Sequence, residues 1–335
     1  MIKLAIDAMG GDFAPEITVK GAMAAIEEFS DLELVLYGDE EKIKQYLTNS
    51  ERITVVHSPK LIDMGEHDPI TEIRRNKDTS MVMAFSAVKN KEVQGVVTAG
   101  PTQAVIVAAH MVIRRMRGMK RVALCPTIPA FKETGAMLLD VGANTSITPE
   151  FVLQYAEYAN IYAKEVKGIE NPKVYLLNIG TEEGKGRELE QQTYDLLKNS
   201  QSINFCGNLE PKEILTSDAD IIVTDGFTGN IAMKTLEGTA KAMGALLKTE
   251  IKKSLGGLIG ALFMRKNLKR FKETLSADRV GGATLFGVDG TVIKAHGSSN
   301  AEAYKNAIAL CRKTVAHEVV EKMKAYLEEH PIDVE

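Results

Sequence analysis

The sequence predicts an α/β protein folded as one unit, and three observations carry that prediction. Short apolar runs at residues 2–9, 32–37, 52–57, 95–99, 174–179 and 221–223 read as buried, mostly parallel-type strands. Most end in a polar, glycine-bearing joint that leads into a helical pattern, the strand–turn–helix rhythm of a parallel sheet. No repeat, low-complexity tract or linker interrupts the 335 residues, a length suited to one large or two medium α/β domains. A single unit over 1–335 is the simplest account. With 44% hydrophobic and 26% charged residues the composition is that of an ordinary soluble chain. The net charge of −4 gives no argument for a nucleic-acid partner. Cys125, Cys206 and Cys311 lie far apart with no CxxC, which argues against a disulfide framework or a zinc site and fits a reducing cytosol. The opening MIKLAIDAMGGD reaches Asp7 after an apolar run too short for a signal segment, and no run approaches the ~20 residues of a membrane span.

In chain order, the first strand ends in Asp7-Ala8-Met9-Gly10-Gly11-Asp12, with Pro15 where a helix can begin. Gly10 and Gly11 let backbone come close to a ligand. Asp7 and Asp12 stand at a strand's carboxyl end, where open α/β sheets put their sites; a plain βα turn reads equally well. This is not GxGxxG, so the dinucleotide fingerprint is absent. Asp39 caps the helix between the next two strands. The polar loop 58–71 holds Asp63, Glu66, His67 and Asp68 without recognisable metal-ligand spacing, so no metal is expected. Arg74, Arg75 and Lys77 precede Thr79, Ser80 and a helix over 81–89, which fits a phosphate clamp or a solvated basic turn.

The strand at 95–99 runs into Gly100-Pro101-Thr102-Gln103 and an apolar helix through Met116, on which His110 reads as a satisfied buried imidazole. Residues 122–124 lead to Pro126-Thr127-Ile128-Pro129, expected to be irregular, and a strand at 136–141 ends in Asp140-Val141-Gly142-Ala143-Asn144. A helix to about Lys167 starts at Thr148-Pro149-Glu150. The strand at 174–179, containing Asn178, meets Gly180-Thr181-Glu182-Glu183-Gly184-Lys185-Gly186-Arg187. Lys185 between two glycines suits a phosphate oxygen or is a surface lysine; the P-loop pattern is not matched.

The richest joint is ADIIVTDGFTGNIAMKTLEG, residues 219–238. A strand breaks at Asp225-Gly226, passes Thr228-Gly229-Asn230 and enters a helix at Ile231. Such a turn leaves backbone N–H groups unpaired at the positive end of the helix dipole, which suits an anion. Gly226 and Gly229 permit positive φ and close approach, and the Asn230 amide donates and accepts. A long helix follows to about Lys253. Residues 255–264, LGGLIGALFM, are apolar, and seven Lys or Arg with no acid fall between 251 and 272. Leu255, Leu258, Ile259, Leu262 and Phe263, with Arg265, Lys266, Lys269 and Arg270, fit a segment lying in an anionic membrane surface; a dimer-interface helix pair or a docking surface for an acidic partner are the alternatives. Residues 281–288 and 291–294 read as a hairpin around Asp289-Gly290. It ends in Ala295-His296-Gly297-Ser298-Ser299-Asn300, followed by one closing helix to Leu327. His296 fits an acid or base, a ligand hydrogen bond, or a structural role at the helix start.

No protein nucleophile is evident: GxSxG, HExxH, a Rossmann fingerprint and a Cys in an electropositive turn are all missing. Glycine-rich joints with Asn, Thr, Lys and Arg recur instead and favour a phosphate-type anion. Seven motifs, AIDAMGGD (5–12), IRRNKDTSM (73–81), LLDVGAN (138–144), LNIGTEEGKG (177–186), VTDGFTGN (223–230), GGATLFG (281–287) and IKAHGSS (293–299), together resemble the bacterial PlsX family, the acyl-carrier-protein:phosphate acyltransferases, over nearly the whole chain. The resemblance implies a three-layer α/β/α sandwich similar to isocitrate and isopropylmalate dehydrogenases and to phosphate acetyltransferases. It implies a cytoplasmic homodimer, peripheral to the inner face of the cell membrane. Its reaction converts acyl-[acyl-carrier protein] and inorganic phosphate to acyl-phosphate and free carrier protein without a cofactor, the acyl-phosphate then serving a membrane glycerol-3-phosphate acyltransferase in phospholipid synthesis.

On this basis Lys185 orients the phosphate and Asn230 stabilises the oxyanion. Asp7, Gly10, Gly11, Asp12, Arg75, Lys77, Ser80, Asn144, Asn178, Gly180, Thr181, Asp225, Gly226, Thr228, Gly229 and His296 are the candidates for binding phosphate or thioester. One departure stands out: Ala99-Gly100-Pro101-Thr102-Gln103-Ala104 replaces the family's AGNTGA, and Pro101 removes a backbone donor. The alternatives are a phosphate acetyltransferase-like enzyme using acyl-coenzyme A, a decarboxylating dehydrogenase, for which no acid cluster or nicotinamide site is visible, and a lipid-surface scaffold.

Overall fold

The apolar runs become one 11-stranded sheet in the computed structural model, which describes residues 1–274 and 281–331, the side chains of 272–274 excepted. Lys272, last cation of the basic run, therefore has its side chain outside the described residues. The strands are β1 (Ile2–Asp7), β2 (Leu32–Gly38), β3 (Ile53–His57), β4 (Gly95–Thr98), β5 (Ala123–Ile128), β6 (Ala136–Leu139), β7 (Lys173–Leu177), β8 (Asn204–Leu209), β9 (Ile221–Val223), β10 (Ala283–Phe286) and β11 (Thr291–Lys294). The helices are α1 (Glu16–Glu28), α2 (Glu40–Lys44), α3 (Pro69–Arg75), α4 (Ser80–Lys89), α5 (Thr102–Ala108), α6 (Pro149–Lys167), α7 (Glu188–Asn199), α8 (Gly226–Lys252), α9 (Leu255–Phe263), α10 (Arg265–Thr274), α11 (Ala301–Ala316) and α12 (Val319–Glu329).

The strand order is β3-β2-β1-β4-β11-β10-β5-β6-β9-β7-β8. Successive side chains leave a strand on opposite faces, so each strand feeds two cores. Ala5, Leu138 and Ile222 pack on one face with α4, α5 and the start of α8. Leu4 and Ile6 pack on the other with α1 and α11, and Met137, Leu139, Ile221 and Val223 with α6 and α12. This is the three-layer sandwich that the resemblance implies.

The sheet changes direction in its middle. The pairs β1–β2, β2–β3, β1–β4 and β4–β11 are parallel, and so are β6–β9, β9–β7 and β7–β8. Between these halves β10 is antiparallel to β11 and to β5, and β5 is antiparallel to β6. The two parallel halves therefore point in opposite directions, and their carboxyl ends lie at opposite margins of the sheet.

Four local expectations need correction. Residues 126–128 are strand, not irregular: β5 pairs with β10 through Pro126 and with β6 from Thr127 on, so the donor missing at Pro126 falls where the partner changes. The helix expected through Met116 stops earlier, α5 passing into a π-helical turn over Ala109–Ile113 that ends at Arg114 with φ 81. The closing helix is two helices, α11 and α12, broken at Glu318 with φ 53. The glycine turn expected before Ile231 is absorbed into α8, which starts at Gly226 with Asp225 as its cap.

Candidate functional site

The strand reversal sorts the candidate residues into two groups. The first gathers at the carboxyl ends of β1, β4 and β11. Asp7 is buried there, its Oδ1 accepting from Ser80 Oγ at 2.6 Å and its Oδ2 from Thr98 Oγ1 at 2.7 Å. Burial pushes its carboxyl up against the opposing pull of those hydroxyls and of the Met9 and Gly10 N–H groups. Asp7 thus latches β1 to β4 and α4 and keeps no acceptor turned to solvent. Asp12 donates its N–H to Gly297 O at 2.9 Å, which joins the Gly10-Gly11 loop to the His296 joint. His296 is exposed, and its Nδ1 takes the Ser298 N–H at 3.2 Å and meets Ser298 Oγ at 2.9 Å. Partial desolvation and then Lys294 hold the imidazole below its ordinary value. Lys77 Nζ donates to Ile73 O at 2.7 Å at the end of α3, and Arg75 is exposed beside it.

Lys294 belongs to this group and was missed. It lies within the quoted IKAHGSS motif; the available signal was a lysine at the carboxyl end of an otherwise apolar strand. It is 9% exposed, with Nζ donating to Ala295 O at 2.5 Å. Burial pulls the amine down to about 8, with Lys234 acting the same way and Asp12 opposing. The unfolded chain therefore binds more protons than the folded one from about pH 8 up to the ordinary 10.5, so this group makes the native state more stable as pH rises through that window. Relative to Lys294→Met, the thermal midpoint of the native protein is expected to climb between pH 7.5 and pH 10. A difference that is flat with pH, or that falls, would contradict this.

The second group lies at the carboxyl ends of β6, β7 and β9. Asp140 is fully buried and acts as its hub. Its Oδ1 accepts from the N–H groups of Leu124 (3.0 Å), Gly142 (3.2 Å) and Ala143 (3.0 Å), and its Oδ2 from Asn144 N (2.8 Å) and Asn144 Nδ2 (2.9 Å). Burial still pushes its carboxyl up. The Asn144 amide is spent on Asp140, on Val122 O at 2.6 Å and on Tyr155 Oη at 3.1 Å. Asn178 Nδ2 holds Lys185 O at 3.1 Å and Asn208 Oδ1 at 3.1 Å, which fixes the loop that carries Gly180, Thr181 and Lys185.

Asp225 takes the Thr228 N–H at 2.9 Å on Oδ1, and Thr228 Oγ1 at 2.7 Å and Arg187 Nη2 at 2.5 Å on Oδ2. Burial works against that carboxylate, yet Thr228 and Arg187 hold it below its usual range. The side chain therefore caps α8 with its own negative charge at the place where the turn suited an anion. Gly226 and Gly229 do not use positive φ. They are needed for closeness: a Cβ would fall 2.2 Å from Asn144 O at Gly226 and 2.0 Å from Asp140 O at Gly229.

Two polar groups of this cluster are left open. Lys185 is 47% exposed, and its nearest ion-pair partner, Glu182, stands 3.9 Å away. Asn230 is exposed on the first turn of α8, with Gly142 packed close to its amide. Arg187 ties the Lys185 loop to the cap of the helix that carries Asn230, a clamp completed by Glu190. Sequence reading quoted Arg187 in its loop without assigning it; its partners come from an adjacent strand and its own helix. α8 then links the two groups, because Lys234, Glu237 and Lys241 all act electrostatically on His296. Seven residues of helix, about 10 Å, separate Asn230 from Glu237. Among the described residues no cluster of three or more His, Cys, Asp or Glu is arranged to hold a metal.

Comparison with known proteins bears on this arrangement. A family profile described as fatty acid synthesis protein matches residues 2–322. A phosphate acyltransferase of Acholeplasma laidlawii is 51% identical over 329 residues, 98% of each chain. One of Bacillus cereus (strain G9842) is 45% identical over 331 residues, 99% of this chain and 100% of that one. Among solved structures, a phosphotransacetylase from Streptococcus pyogenes superposes with a TM-score of 0.60 at 18% identity, over 96% of this chain and 94% of that one. A 4-hydroxythreonine-4-phosphate dehydrogenase from Klebsiella pneumoniae does so with a TM-score of 0.53 at 11% identity, over 94% of this chain and 98% of that one. These two show a shared fold. The profile match and the full-length identities show that the chain belongs to the fatty acid synthesis protein family, the PlsX family that its motifs resemble.

Proposed function

We propose that this protein is a phosphate acyltransferase that moves a long-chain acyl group from acyl-carrier protein onto inorganic phosphate, forming acyl-phosphate for phospholipid synthesis. The observation that carries the reading is the 45–51% identity, over nearly the whole chain, to relatives named phosphate acyltransferase. A phosphate oxygen attacks the thioester carbon, the carbonyl oxygen takes up negative charge, and the carbon–sulfur bond breaks to release the carrier's thiolate. Asn230, with its amide open, donates to that oxyanion, and Lys185 holds the phosphate in line. Direct attack fits the cysteines: Cys125 and Cys311 are buried with their thiols pushed up by burial, which disfavours a thiolate nucleophile. The test is phosphate-dependent thiol release from palmitoyl-acyl-carrier protein, with acetyl-coenzyme A as comparison. Release from the long-chain donor with a hydroxylamine-sensitive product is expected. Release from acetyl-coenzyme A alone would move the assignment to a phosphate acetyltransferase.

The reading extends to a peripheral membrane site on a cytoplasmic homodimer. Support comes from the arm that leaves the body of the fold. Residues 241–250 of α8 are exposed throughout, and Leu255, Leu262 and Phe263 are 75%, 70% and 83% exposed. Leu258 and Ile259 lie exposed on the same helix, followed by Arg265, Lys266, Lys269 and Arg270 on α10. Among the described residues no helix is long and apolar enough to cross a bilayer, and nine residues of α9 suit its surface instead. Leu258→Glu is expected to abolish flotation with anionic vesicles while turnover in solution stays within about twofold. Unchanged flotation would remove the membrane reading.

A further inference from the structure

A second basic element lies apart from the arm. Arg114-Arg115-Met116-Arg117-Gly118-Met119-Lys120-Arg121 places five cations in eight residues, and no acid occurs between Glu92 and Glu133. The fold makes it a fixed platform. Met116 and Met119 are 1% and 4% exposed and anchor it in the core. Met116 N–H donates to Gly287 O at 2.9 Å, and Gln154 holds both Gly118 O (2.9 Å) and Lys120 N (3.3 Å). With the methionines turned inward, Arg114, Arg115 and Arg117 stay exposed around an open concavity of about 590 Å³ that His110 also lines, and Arg121 is exposed at the end of the loop. Arg121 lies over the Phe151 ring, and Arg115 donates to Lys120 O. No ion pair to a carboxylate is found for these four arginines among the described residues, and the nearby Asp289 is paired with Lys324.

Self-repulsion among charges held this close is unfavourable, and a ligand of opposite sign relieves it. The platform is also continuous with the second group of site residues. Val122, directly after Arg121, offers its carbonyl to Asn144 Nδ2 (2.6 Å) and Tyr155 Oη (3.2 Å). Asn144 binds Asp140, and the same turn packs Gly142 against Asn230. The platform and the open Asn230 amide are therefore joined through the 140–144 turn. Unlike the arm at 255–264, the platform shows no exposed large apolar side chain, which favours a water-soluble partner over a bilayer.

We propose that the Arg114–Arg121 loop is the docking surface for the acidic carrier protein that brings the acyl thioester, leaving the arm free for the membrane. This rests on the acyl-carrier reading above. Charge complementarity of this kind acts on association, so its signature is in KM and salt dependence. The test compares the full-length protein with Arg114→Glu/Arg117→Glu, using palmitoyl-acyl-carrier protein and phosphate. The variant is expected to raise KM for the carrier about tenfold or more, with kcat within about twofold, and to lose most of the KM increase that added salt causes in the native protein. Arg114→Lys/Arg117→Lys should restore KM to within about threefold. Should charge reversal impair folding, seen as a lowered thermal midpoint, Arg117→Gln is the replacement and a KM rise of about threefold is expected. An unchanged KM, a fall confined to kcat, or loss of vesicle flotation with KM intact overturns the docking surface. No turnover of this donor by the native protein overturns the acyl-carrier reading itself.

Discussion

Asn230→Ala is expected to lower kcat/KM for phosphate-dependent acyl transfer by about a hundredfold or more, the usual effect of deleting one oxyanion donor, worth ~3 kcal/mol. The expectation rests on an amide that is exposed on the first turn of α8 beside Gly142, so removing it costs the fold little. The thermal midpoint should stay within about 1 °C of the native value, a change of roughly 0.7 kcal/mol for a chain of this size. Lys185→Ala divides the work differently. Its side chain is 47% exposed and faces Glu182 at 3.9 Å, a weak tie that leaves the cation available. Its loss should appear mainly as a raised KM for phosphate, by about tenfold. Steady-state kinetics with both substrates varied, alongside thermal unfolding, would check both. An Asn230→Ala enzyme within about threefold of native would remove the oxyanion role.

Asp140→Ala is expected to produce a large stability loss. The carboxylate accepts from four backbone N–H groups and the Asn144 amide while fully buried. Each buried donor left without a partner costs ~1–3 kcal/mol, so the loss should exceed ~3 kcal/mol even if water satisfies some of them. Asp140→Asn keeps an acceptor oxygen and should lose about half as much. Chemical denaturation of native and both variants decides this. A loss below about 1 kcal/mol for alanine would mean that the 140–144 turn is held by other contacts. Activity should fall with it, because Gly142 and Asn144 back the first turn of α8 at Asn230 and Gly226.

These two residues also mark how far the sequence could be read. Asn230 and Lys185 could be picked out as candidates because Gly-Asn at a strand-to-helix joint and Lys between glycines report local backbone chemistry. Asp140 stood at a strand end in a quoted motif, yet its role was not legible: its donors include Leu124, which β5 brings from the far side of a strand pair. Asp225 and Thr228 were read as anion ligands from a turn that the helix absorbs, and their polar atoms bond each other and Arg187. Lys294 and the Arg114–Arg121 loop were passed over. A lone lysine in a strand and a basic loop carry no periodicity; burial in one case and exposure in the other give them meaning.

By itself the sequence determined the α/β class, most of the strands, the glycine-bearing joints and, through its seven motifs, the family. Those features depend on local hydrophobic period and turn chemistry, which act within a few residues. Only the tertiary structure decided that the joints form two groups. β10 and β5 turn the sheet round, so strand ends that look equivalent in sequence face opposite margins, and α8 runs from one group towards the other. Strand direction is fixed by pairing between segments far apart in the chain, as Ala123–Pro126 pair with Ala283–Phe286, and no local pattern records it.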